Sequence, residues 1–376
     1  MSTSASQSMG PQQEDLVIEA WRGVAAWMVV YVHFWAFSGS DWPPLRLTHT
    51  GVNLFFVVSG FVFAPYLLGR ALNGKAHAVR RFFRLYPAYL LALAVYMAMK
   101  FNAGQPLRYL GEHLTFLHVQ SKEMAFYYNP PFWSLPAEVE FYLLLPLLAG
   151  AAGAAQRRWG ALGPLRLLMG LLVLAAGLRW ALGWVSDGQA QNGAFIALHH
   201  LPGVLVEFLL GAAAWKVSQR SLSTKVLISL AVSGLAGWWW LAVWFGQVGD
   251  AGVDASALKG LMGAMTAVCF AALVAGTAGA AAATGGARPG QAGHTSFTGL
   301  KAVALWAGRL SYGVYLFHIA ALRLAEGWAA VWGWTPGGAR WLAVGLTLAI
   351  AAVVYLAWEN PWRMFGRRWA ARLSSA

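Results

Sequence analysis

Ten stretches of 18–24 residues are apolar almost throughout, near 16–38, 51–68, 86–104, 132–150, 162–180, 199–217, 226–246, 258–281, 303–326 and 341–358. About 20 apolar helical residues cross a bilayer core of about 30 Å, so each stretch is long enough for one crossing. In lipid a segment must satisfy its own backbone N–H and C=O groups, which favours helices for isolated runs of this kind. The expected fold is therefore an all-α polytopic membrane helix bundle with about ten transmembrane helices. Only 11% of the residues are charged, against about 25% in soluble domains. No part of the chain is polar enough for a separate soluble domain. We expect a disordered tail over 1–14, a membrane domain over 15–362 and a basic tail over 363–376.

The net charge of +13 invites a nucleic-acid reading, but its distribution argues for topology. With the spans above, one set of alternate loops and ends holds 18 of the 27 basic residues, among them Arg80, Arg81, Arg84, Arg157, Arg158, Arg363 and Arg367. The positive-inside rule makes that side cytoplasmic, with both termini inside. The expected partner is thus the lipid bilayer and not nucleic acid. The basic run 69–85 reads as a cytoplasmic loop, with Pro87 in the first turn of the third span. Residues 282–302 read as a flexible linker.

Ionisable residues inside the spans are the informative exceptions. Arg22 and His33 are eleven residues apart in the first span, three turns plus about 20°, so they share one helix face roughly 16 Å apart. Two such groups are costly in lipid unless their face lines a protein interior or a wet cavity. His33, toward the outer end, has the ordinary imidazole range suited to general base work. Glu138 and Glu140 begin the fourth span about 200° apart, so they cannot pair on one face. Glu138 is expected near His33, and Glu140 is expected at the solvated interface. Arg81 and Arg84 are adjacent on a helix surface and could hold phosphate.

Other polar residues say less. Asn53, Ser59 and Gly60 in the second span suit close helix packing. His318, in SYGVYLFH, could face the cavity but reads first as an interior hydrogen bonder. His199, His200 and Glu207 resemble a metal cluster only loosely, and no metal site is expected. Cys269 is the lone cysteine, which excludes a disulfide framework. On the residues alone a rival class stays open: a secondary transporter or flippase whose buried ions relay protons. No internal repeat of the kind many transporters carry is visible.

Six motifs in order along the chain resemble the integral-membrane acyltransferase 3 family, which includes bacterial O-acetyltransferases of surface glycans. They are RGVAAWMVVYVH, GVNLFFVVSGFVF, RRFFRLYP, WSLPAEVEFYLLLPLL, SYGVYLFH and ENPWR. The resemblance implies transfer of an acyl group, acetyl in the first instance, from cytoplasmic acyl-CoA to a hydroxyl of a glycan or glycolipid, in a bacterial inner membrane. It puts the family's arginine–histidine signature on Arg22 and His33, its acyl-CoA arginine pair on Arg81 and Arg84, and its acidic residue on Glu138. His33 would act as general base or acyl carrier. Two departures stand out: Asn53 occupies a position where the family often has Asp, and Val139 occupies its common second acidic position. No SGNH-type hydrolase domain is attached, so the protein is expected to act alone or with a separate partner.

Overall fold

The structure, a computed structural model, describes residues 16–35, 42–184, 192–254, 256, 258, 260–283 and 299–375. The expected N-terminal tail and most of the expected linker lie outside these residues. The described part is helical: α1 Leu16–Phe34, α2 Gly51–Leu67, α3 Gly74–Asn102, α4 Leu110–Leu114, α5 Lys122–Phe126, α6 Ser134–Trp159, α7 Gly163–Gly183, α8 Gly193–His199, α9 Leu201–Ser218, α10 Thr224–Asp254, α11 Met262–Ala283, α12 Gly299–Trp332, α13 Pro336–Val354 and α14 Asn360–Ser375. Among the described residues nine helical stretches are long and apolar enough to cross a membrane. One of them, Pro130–Gly183, is 54 residues long and holds two helices, α6 and α7. The chain turns between them at Gly160, where φ is +69°. Counted separately, α6 and α7 bring the helices to ten.

Local chemistry explains where several elements start. Asn73 caps α3, its side-chain oxygen accepting from Ala76 N at 3.0 Å. Ser121 and Thr335 do the same for α5 and α13. One sequence expectation fails here. The basic run is not a loop, because α3 begins at Gly74 rather than near 86, and Pro87 lies inside it. Helix-forming residues fill 75–85, and the capped start lets the helix run on past the apolar stretch. Trp358 Nε1 donates to the Pro87 carbonyl at 2.9 Å. The basic C-terminal segment is also helical, and a π-turn over Tyr355–Glu359 connects α13 to α14.

Helix α1 packs between α2 and α12, α2 packs on α9, and α14 lies along α3. The α2–α9 contact is backbone against backbone. A Cβ on Gly60 would fall 1.8 Å from the Phe208 carbonyl oxygen, and one on Gly211 would fall 2.0 Å from the Val57 carbonyl oxygen. Only glycine permits that approach, the small-residue packing typical of membrane helices. Phe208 in turn stacks on Phe141 of α6 with ring centroids 4.0 Å apart. On the perimeter, Val173 and Leu174 of α7 are 73% and 66% exposed, a surface suited to acyl chains.

Gly60→Leu should therefore destabilise the bundle by at least about 1–3 kcal/mol through overpacking. Gly150→Ala, with nothing within 4 Å of the added carbon, should be neutral or slightly stabilising. Thermal melting in detergent checks both; an unchanged midpoint for Gly60→Leu would contradict the described contact.

Candidate active site

Three cavities adjoin one another along α2. At one end α3 contributes Arg80, Arg81 and Arg84, and α14 contributes Arg363 and Arg367, to a cavity of about 130 Å³. Val62, Phe63 and Tyr66 of α2 and His77 complete its wall. The Arg81 guanidinium lies 5.0 Å from the Phe63 ring centroid and 5.4 Å from that of Tyr142. These cation–π contacts seat the guanidinium against two aromatic faces.

Arg84 also lines the second cavity, a narrow passage of about 50 Å³. Arg22, Ser59, Ser134, Glu138, Ser311 and Tyr312 line it too. Arg22 Nη1 donates to Glu19 Oε1 at 2.7 Å, one helical turn back. The Tyr142 hydroxyl donates to Glu138 Oε1, four residues earlier on α6. Tyr312 donates to the Leu85 carbonyl at 3.0 Å. The passage thus brings two guanidiniums and one carboxylate to a single narrow space.

Val52 and Tyr315 line both the passage and the third cavity, a chamber of about 730 Å³. Tyr315 donates to the Pro131 carbonyl and shares a 2.7 Å hydrogen bond with Ser134. The chamber is lined by His33, Arg46, His49, His199, Asp250, Trp133 and apolar side chains. His33 Nδ1 is 2.8 Å from the Val29 carbonyl and 3.3 Å from His318 Nε2. His318 Nδ1 faces the carbonyls of Val314 at 3.1 Å and Tyr315 at 3.0 Å. Carbonyls only accept, so both rings carry the proton on Nδ1 when neutral. That makes His33 Nε2 the basic nitrogen of its ring, with His318 Nε2 as a second acceptor behind it.

The shared face of Arg22 and His33 does point inward, as its spacing requires. Glu138 departs from expectation: it lines the passage with Arg22 and Arg84, while His33 lines the chamber beyond Tyr315. The ring beside His33 is His318, fully buried on α12, which the sequence offered as an interior hydrogen bonder ahead of a cavity-facing group. Glu140, about a third exposed, is more than a solvated carboxylate. It accepts from His200 Nδ1 at 2.5 Å and from Leu201 N at 2.7 Å, capping α9. Nor do His199, His200 and Glu207 gather. Glu207 binds Arg179 Nη1 at 2.8 Å and Asn53 Nδ2 at 3.0 Å, whereas His199 faces the chamber. Among the described residues no group of three or more His, Cys, Asp or Glu could hold a metal ion. Arg46, His49 and Asp250 were missed as wall residues, whereas Tyr315 stands in the SYGVYLFH motif. For Asp250 the signal lay in the sequence, a carboxylate just beyond an apolar run.

The segment between α3 and α6 is ordered around two stacked imidazoles, His113 and His118, with centroids 4.0 Å apart. Burial, reinforced by the His118 neighbour, pushes His113 down to about 3, and burial pushes His118 down to about 4. In the unfolded chain both sit near the ordinary value of about 6.5. Protonation therefore favours the opened segment: its packing contributes fully above pH 6.5 and weakens as pH falls toward 4. Limited proteolysis of residues 105–131 should accelerate between pH 7 and pH 5, and a pH-independent cleavage rate would refute this.

A profile described as an acyltransferase domain matches residues 15–359. Nodulation protein 10 of Rhizobium leguminosarum bv. viciae is 25% identical, over 90% of this chain and 91% of its own. Protein 2 in the picA locus of Rhizobium radiobacter is 37% identical over 95 residues, which is 24% of this chain and about half, 48%, of that relative. No solved structure matches.

Proposed function

The chain belongs to this acyltransferase domain family, and from that premise we propose that it transfers an acyl group from cytoplasmic acyl-CoA to a hydroxyl of a glycan or glycolipid. It is a multi-pass membrane acyltransferase. One observation carries the finer reading: the arginine cavity, the passage and the chamber adjoin through Arg84, Val52 and Tyr315. A long donor with an anionic head and a thioester tail fits such a series. The phosphates bind Arg81 and Arg84, where guanidinium pairs with phosphate oxygen strongly. The pantetheine arm follows the passage past Arg22 and Glu138, and the acyl end reaches Tyr315. A passage of about 50 Å³ favours a short acyl group such as acetyl. The basic excess at the arginine end supports a cytoplasmic assignment for that end, in a bacterial inner membrane.

In the chamber, His33 Nε2 takes the proton of the acceptor hydroxyl. The oxygen attacks the thioester carbon, the C–S bond breaks, and the thiolate leaves and is reprotonated. The imidazolium formed at His33 has its Nδ1–H directed at two acceptors, the Val29 carbonyl and His318 Nε2. Transfer through an acyl-His33 intermediate uses the same nitrogen as nucleophile. Arg22 serves the oxyanion or the donor arm, and Glu138 balances the passage's guanidiniums. Trp133 and the polar groups Arg46, His49 and Asp250 give the chamber the mixed aromatic and polar wall that suits a sugar.

Purified His33→Ala protein should fold and lose acyl transfer; near-normal release of free thiol from acyl-CoA in the presence of acceptor would remove the catalytic assignment. Arg81→Ala with Arg84→Ala should weaken the donor by roughly 1.5–3 kcal/mol per lost contact, about 10- to 150-fold in affinity. Titration with acyl-CoA reads that change. Mass spectrometry of surface glycans with and without the gene identifies the acceptor by the acyl group lost.

A further inference from the structure

We propose that the C-terminal helix α14 is a working part of the donor site, with Arg363 and Arg367 binding the phosphate-rich nucleotide end of the acyl donor. This rests on the acyl-CoA reading above and extends it to α14, where Arg363 closes the ENPWR motif and Arg367 lies beyond it. The two arginines are four apart, so they occupy one face of α14. That face meets α3, where Arg80, Arg81 and Arg84 line the same cavity. Five guanidiniums and His77 surround about 130 Å³, and no carboxylate is in the lining.

Helix α14 is built into this position. Phe83 of α3 stacks on Trp362 at 5.8 Å and meets the Phe365 ring at 5.1 Å and the Trp369 ring at 5.7 Å. A Cβ on Gly366 would lie 2.5 Å from the Phe83 Cβ, so the helices touch there only because residue 366 has no side chain. Asn73, the cap of α3, donates from Nδ2 to the Leu373 carbonyl at 3.3 Å. The aromatic face of α14 is thereby locked onto α3, and the Arg363–Arg367 face is aimed at the cavity. Glu359 holds Arg363 at 3.6 Å, and the Tyr355 ring lies 5.9 Å from its guanidinium carbon.

Like charges crowded into one cavity repel, and the described residues supply one carboxylate, on Glu359, to this group of arginines through an ion pair. The Arg81 Nε proton is buried with no partner, a donor awaiting an acceptor. A ligand with several phosphate oxygens satisfies both conditions. The nucleotide end of coenzyme A carries a diphosphate and a phosphate monoester, more anionic oxygen than the Arg81–Arg84 pair alone can engage bidentately. Phospholipid headgroups offer the same chemistry from another source.

The test uses full-length protein in nanodiscs, with Arg363→Gln, Arg367→Gln and the double variant titrated with acyl-CoA, 3′-dephospho-acyl-CoA and acyl-pantetheine. The double variant should raise the half-saturating acyl-CoA concentration about 10- to 150-fold while the rate at saturation is retained. Its preference for acyl-CoA over the dephospho form should fall, and its use of acyl-pantetheine, which lacks the nucleotide, should match wild type. Unchanged acyl-CoA titration would overturn the proposal and leave the donor reading intact. An effect that follows the anionic lipid content of the nanodisc, equal for all three donors, would assign the arginines to lipid headgroups and overturn it as well. Wild-type protein that uses no acyl-CoA at all would remove the donor reading and the proposal together. Gly366→Leu, which should pry α14 from α3, is expected to reproduce the double variant's loss of donor affinity.

Discussion

The contact between α2 and α9 through Gly60 and Gly211 positions everything that follows. Helix α2 contributes wall residues to all three cavities: Phe63 and Tyr66 at the arginine end, Ser59 and Phe56 in the passage, Val52 in the chamber. Its axis is fixed by backbone atoms rather than by side chains that could repack. On either side, α1 brings Arg22 and His33 and α6 brings Ser134 and Glu138 to the same line. The route is therefore a property of helix spacing, and small residues set that spacing.

Arg179 and Glu207 show how this bundle tolerates a buried ion pair. Arg179 and Glu207 pair at 2.8 Å, with Asn53 and the carbonyls of Gly203 and Gly260 taking further hydrogen bonds. That cluster ties α2, α7 and α9 together and explains how Asn can stand at position 53: it donates to a carboxylate, which an ionised Asp could not do. Breaking one partner of such a pair leaves an uncompensated charge, a loss of about 3–5 kcal/mol, so these residues specify the packing more than they strengthen it. Glu140 plays a comparable part at the start of α9.

Much of this was legible in the sequence, and the reasons differ by residue. Apolar run length gave the helices, and the eleven-residue spacing of Arg22 and His33 gave an inward face, because both follow from helix geometry alone. The reach of α3 was misjudged because hydropathy ends where lipid ends, whereas a capped helix need not. Glu138 could be assigned a depth but not a cavity, since depth says nothing about which neighbour's ring intervenes. His318 as the neighbour of His33, and the convergence of Arg46, His49 and Asp250, depend on contacts across hundreds of residues, which no local pattern records.

Tyr315 marks the boundary between the passage and the chamber, its hydroxyl tied to Ser134 and to the Pro131 carbonyl. A membrane that stores energy as an ion gradient cannot accommodate a standing water column from face to face. An enzyme that reaches one aqueous side for its donor and the other for its acceptor must keep those two waters apart at every moment of turnover. On the donor reading proposed above, a bonded phenol at the junction, with only about 50 Å³ on one side of it, would narrow the water path at the point a thioester arm has to approach.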